Sequence, residues 1–158
     1  MLLALRSFFA LALPCALLAA GCAAGASDDA PVQTVRHFLD LMERGDSDEA
    51  ALADAYALID RGAQQALRGR ADRARSLSGR SFEPWQMLAQ GRFRLRFSPV
   101  APGGLRARVQ GERAVVVAVG SKPGERAEIP LLREAGVWRI ELKLPPVRSE
   151  SLADGRPD

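Results

Sequence analysis

Cysteine is almost missing from this chain of 158 residues: only Cys15 and Cys22 occur. Any domain that follows them holds no disulfide, no thiolate nucleophile and no cysteine metal site. Histidine is rarer still, with His37 alone. A single imidazole, no later thiol and no carboxylates at ligand spacing leave nothing from which to build a metal centre. There is no Ser-His-Asp order, phosphate-binding glycine loop or dinucleotide fingerprint, so no cofactor is expected. Lysine is scarce too, two residues against twenty arginines, in a chain rich in alanine. That bias reflects a GC-rich coding sequence more than a function. The one long uncharged apolar run, residues 8–20, is shorter than the roughly 20 residues a membrane span requires, and Pro14 breaks it.

That run has a different meaning. Arg6 precedes it and small residues end it, the layout of an export signal. Its close, Leu17-Leu18-Ala19-Ala20-Gly21-Cys22, resembles the lipobox of bacterial lipoproteins, with Ala19 where Leu is usual. The resemblance implies a signal peptide over 1–21 that is removed and a diacylglyceryl group on Cys22. Several acyl chains exceed what merely reversible membrane binding needs. Residues 22–31 are small and polar and read as a flexible tether. A residue other than Asp after the cysteine implies the periplasmic face of an outer membrane, if the cell has one. On location alone, nucleic acid is a poor partner.

Removal of the signal leaves residues 22–158, one domain's worth. Charge is unevenly spread. Residues 23–60 carry nine acids and two bases, and residues 61–113 carry twelve arginines and three acids. The two segments can neutralise each other, or the basic one can meet an acidic partner.

Val32, Val35, Phe38, Leu39 and Met42 make one apolar stripe, which predicts a helix over 32–44 that Gly45 ends. Asp46 or Ser47 caps a second helix carrying Leu52, Ala55, Tyr56 and Ile59. A third, Arg-rich helix is expected over 63–77, and a short one from Pro84. The period then changes from 3.6 to 2. Residues 92–97 alternate Arg with Phe, Leu and Phe. Hairpins follow over 105–109 and 114–119, then over 127–133 and 137–144, with turns at Gly111 and Gly136. The expected class is α+β, helices packed on one face of a curved antiparallel sheet over 32–146. Residues 147–158 read as a disordered tail.

The segment Thr34-Val35-x-x-Phe38-Leu39 followed by Gly45-Asp46, with the closing Arg133-Glu134-Ala135-Gly136-Val137-Trp138 hairpin, resembles the nuclear-transport-factor-2-like superfamily. The likeness is to its small secreted lipoproteins of unknown function. It implies a cone of helices on a bent sheet, often with a pocket at the open end, and it carries over no catalytic residue. Fold alone does not give function.

Candidate site residues fall into two sets. Arg92, Arg94 and Arg96 share one strand face at about 6.5–7 Å spacing, and Arg106 and Arg108 join them where the register allows. Like charges side by side repel, so Glu128 and Glu141 or an anionic partner must balance them. Phe38, Tyr56, Trp85, Phe93 and Trp138 read as core, or as the lining of a pocket if the cone is open. His37 and Asp40 read as surface residues. The sequence thus predicts a membrane-tethered, non-enzymatic domain that binds a protein or a small apolar ligand. The alternatives are an isomerase- or dehydratase-like pocket enzyme and an envelope structural factor that docks through the arginine face. Cys22→Ser should abolish incorporation of labelled fatty acid and leave the signal uncleaved, and continued acylation would refute the lipid assignment.

Overall fold

A computed structural model describes residues 29–90, 93, 95–101 and 103–145. Cys22, the expected signal over 1–21, most of the expected tether and the tail from 147 lie outside them. The order is α1 (Asp29–Arg44), α2 (Glu49–Ala57), α3 (Arg61–Ser78), α4 (Gln86–Gln90), β1 (Leu105–Gln110), β2 (Arg113–Val119), β3 (Arg126–Glu134) and β4 (Val137–Ile140). The strands form one antiparallel sheet in sequence order. The α+β class and the order of helices before sheet are therefore as the sequence implies.

Helix α1 starts three residues earlier than its apolar stripe suggests. Asp29 to Pro31, expected in the tether, are helical. Proline costs nothing in a first turn, where its missing N–H would have had no partner, and an acid there suits the helix dipole. Val35, Phe38, Leu41 and Met42 are the buried face. The cap of α2 is Asp48, not Asp46 or Ser47: its carboxylate accepts from the Ala50 N–H at 3.0 Å. That helix ends at Ala57, so Ile59 leaves it and forms a parallel bridge to Ile140 of β4.

Asp60 then joins helices to sheet. It is 8 % exposed. One carboxylate oxygen accepts from Ala63 N–H at 2.9 Å, capping α3, and the other accepts from Leu142 N–H at 3.0 Å, just past β4. Its own N–H donates to Ile140 O, and Ile140 N–H donates to Leu58 O, both at 2.9 Å. This cap places the start of α3 at Arg61 rather than Ala63.

The inner sheet face carries Ala114, Val116, Leu131, Trp138 and Ile140, all buried against α1, α2 and Leu67 of α3 in one core. Arg133 lies over the Trp138 ring, 4.7 Å from its centre, a contact that adds a cation–π term to the packing. Strand β4 ends at Ile140, four residues before the expected Leu144. Pro130 explains the stop. It accepts from Glu141 N–H at 2.9 Å but has no N–H to return, so the ladder cannot continue.

The strand expected over residues 92–97 is absent among the described residues: Phe93 and residues 95–97 belong to no ladder. Val100 N–H donates to Val119 O and Gly104 N–H to Val100 O, so the chain is tied to the end of β2. A Cβ on Gly104 would lie 2.3 Å from Val100 O, and only glycine permits the approach. Pairing 92–97 with β1 would moreover set Arg92, Arg94 and Arg96 on the same face as Arg106 and Arg108.

Asp60→Ala removes a cap at the buried Ala63 N–H and leaves the half-buried Leu142 N–H without an acceptor. Urea unfolding should show a loss of about 2–4 kcal/mol. Asp48→Ala, at an exposed cap, should lose about 1 kcal/mol.

Candidate functional site

The outer sheet face follows from the register. Arg106 lies opposite Val117 and Arg108 opposite Val115. Across β2, Val117 faces Glu128, Val119 faces Arg126 and Val115 faces Pro130. Alternation therefore puts Arg106, Arg108, Arg113 and Arg126 on one surface with Val115, Val117, Val119, Glu128 and Pro130. Val117 is only 7 % exposed although no helix among the described residues lies on this side. Its cross-strand neighbours are Arg106 and Glu128, side chains long enough to shield it with their stems. Val119 is 40 % exposed. A groove of about 680 Å³ runs between Arg106, Arg108, Arg126 and these valines.

Charge on this face is unbalanced. Glu128 is shared by Arg108 at 3.4 Å and Arg126 at 3.2 Å, and Glu141 pairs with Arg113 at 3.3 Å. Arg106 has no partner among the described residues. Around β1 and β2, four guanidinium groups thus meet two carboxylates, in pairs that are largely exposed and individually weak. Towards β4 the same face adds Arg139, which donates to Ala57 O, and Glu134, which pairs with Arg61. The counter-charges expected at Glu128 and Glu141 are present, but they serve Arg108, Arg113 and Arg126.

Of the other arginines singled out from the sequence, Arg92 and Arg94 lie outside the described residues. Arg96 is exposed and lines a separate groove of about 340 Å³ beside α1, with Leu39, Met42, Glu43 and Phe97. It is therefore not brought together with Arg106 and Arg108. Arg126 was missed because its membership depends on the β2–β3 register, which a turn at residues 120–125 sets and strand periodicity alone does not.

The aromatic candidates do not gather at one opening. Phe38 and Trp138 are buried in the core, with Tyr56, Trp85 and Phe93 packed partly buried against it. The Tyr56 hydroxyl donates to Gln64 O at 3.1 Å, and Trp85 Nε1–H donates to Glu49 at 3.3 Å. Their polar ends thus serve helix contacts. His37 and Asp40 are exposed, and Asp40 pairs with Arg44 one turn away at 3.2 Å. Asp60, the buried carboxylate, has both oxygens engaged by backbone N–H groups. Among the described residues no three His, Cys, Asp or Glu side chains come together as a metal site. None of their helices is long and apolar enough to cross a membrane.

No protein-family model, curated protein or solved structure matches the chain.

If Val117 is an apolar floor and the ion pairs are solvated, two substitutions should separate. Val117→Ala should cost about 1–2.5 kcal/mol in urea unfolding, and Glu128→Gln under about 1 kcal/mol. The reverse order would show that the charges, not the valines, hold this face.

Proposed function

We propose that the chain is an envelope lipoprotein, anchored through a lipid on Cys22, whose domain is a non-enzymatic module that binds a protein partner on the outer sheet face. The observation that carries this reading is the uncovered face itself, an apolar floor of Val117 and Val119 ringed by Arg106, Arg108, Arg113 and Arg126. Aliphatic floors with arginine at the rim suit protein contacts, where arginine is enriched and supplies directional hydrogen bonds. The lipid anchor is supported by the Leu17-to-Cys22 segment and by a charged residue ahead of the apolar run.

The cone of the nuclear-transport-factor-2-like superfamily remains our reading of the architecture. Three longer helices and the short α4 ahead of an antiparallel meander, with α1 on the sheet's inner face, support it. A pocket enzyme needs a buried acid or base facing a cavity. Asp60 instead spends both oxygens on helix and strand ends, which favours the binding module.

A photo-cross-linking residue placed at Arg126 should give discrete protein adducts in the cell that makes this chain. One placed at Arg73, exposed on α3, should not. Adducts from Arg73 with none from Arg126 would overturn the assignment of the binding face.

A further inference from the structure

The two edges of the sheet are treated differently. At β4 the edge is closed, since residues 58–60 lie along it and bond to Ile140 in both directions. At β1 nothing among the described residues does the same. In an antiparallel ladder the N–H and C=O of one residue point to the same neighbour, and the direction alternates along the strand. Val119 N–H donates to Gly104 O, which fixes the phase: Arg106, Arg108 and Gln110 bond to β2. The N–H and C=O groups of Leu105, Ala107 and Val109 therefore point outward. None of them takes a backbone bond elsewhere among the described residues.

This edge lacks most of the usual protections. Leu105–Gln110 contains no proline, glycine or lysine. Its inward side chains, Leu105, Ala107 and Val109, are only partly buried, whereas Ala114, Val116 and Ala118 next door are fully so. What the edge does carry is Arg106 and Arg108 on the outer face, and these select the occupant. A second copy that pairs β1 with β1, core faces on the same side, would set arginine beside arginine. Residues 92–97 of this chain would do the same. Directly opposed like charges destabilise a strand pair, and opposite charges stabilise it.

We propose that β1 receives an extended acidic segment of a partner protein, added to the sheet as a further strand with its carboxylates beside Arg106 and Arg108. The inference rests on the reading of this domain as a protein-binding module and gives that module its ligand chemistry. Backbone hydrogen bonds to Leu105, Ala107 and Val109 supply affinity, and alternate side chains supply selectivity. Each carboxylate on the outer face lies about 4.5–5.5 Å, Cβ to Cβ, from an arginine. The unpartnered Arg106 gains a counter-ion. The apolar side chains between them extend the half-covered row of Leu105, Ala107 and Val109.

The test uses the full chain in detergent and a labelled peptide of alternating Glu and Val, followed by fluorescence anisotropy. Binding should be seen below about 1 mM and weaken as salt rises. A Lys–Val peptide of equal length should not bind. N-methylation of alternate residues along one peptide edge removes the donors that face β1 while leaving the charge unchanged. It should weaken binding by at least about tenfold, a loss of one to two hydrogen bonds. On the protein side, Ala107→Pro should have the same effect. It removes only an outward N–H, and Arg106→Glu with Arg108→Glu provides a second test if the proline variant fails to fold. Absence of binding by the acidic peptide overturns the proposal. Binding that ignores N-methylation also overturns it, because the peptide then lies on the face without joining the sheet. That last result leaves the cross-linking prediction at Arg126 intact, whereas failure at Arg126 with N-methylation-sensitive binding refutes the face and keeps the edge.

Discussion

The arrangement of helices on sheet turns on a single buried carboxylate. Asp60 stands where α2 has ended, α3 begins and β4 passes, and it bonds to the last two at once. Without it, the buried N–H of Ala63 and the half-buried N–H of Leu142 would be donors in search of an acceptor, each costing on the order of 1–3 kcal/mol. The short parallel bridge at Ile59 keeps Leu58 to Asp60 against β4, so the helical layer cannot slide along the strand. Leu67 and Ala63 of α3 reach the core from the position this cap gives them.

From that fixed edge the rest of the sheet follows by register. Pro130 ends the β4 ladder, the Gly111 turn pairs β1 with β2, and each step fixes which side chains face outward. The inner face becomes core and the outer face becomes an arginine-rimmed strip of valines. Closing the β4 side with residues 58–60 leaves only β1 with outward backbone groups among the described strands. The asymmetry is thus a consequence of topology. The charge on Arg106 and Arg108 then decides what kind of strand that edge tolerates.

Much of this was legible in the sequence, for local reasons. Both hairpins were, because glycines at 111 and 136 adopt positive φ between segments of period 2. The apolar stripe of α1 was legible from its spacing. Asp60 was not, because Ile59 fits the stripe of α2 equally well, and only contact with Leu142, far along the chain, shows that the helix has stopped. Phe93 and residues 95–97 mislead for a similar reason: the alternation they belong to is strict, yet strand formation needs a neighbour, and β1 would present arginines to arginines. On the candidate site, Arg106 and Arg108 were visible from parity, whereas Arg126 and the valine floor needed the register across β2. Cys22, proposed to carry a lipid, lies outside the described residues, and that proposal stands on the sequence alone.

Hydrogen exchange of individual amides in the chain without any partner bears most directly on this account. The amides of Ile140, Leu142 and Ala63 should exchange only on global unfolding, and those of Val115 and Val117 slowly, while Leu105, Ala107 and Val109 exchange as fast as loop amides. Protection of those three at the level of Val117 would show that the chain already covers β1 and would contradict an edge held open for a partner.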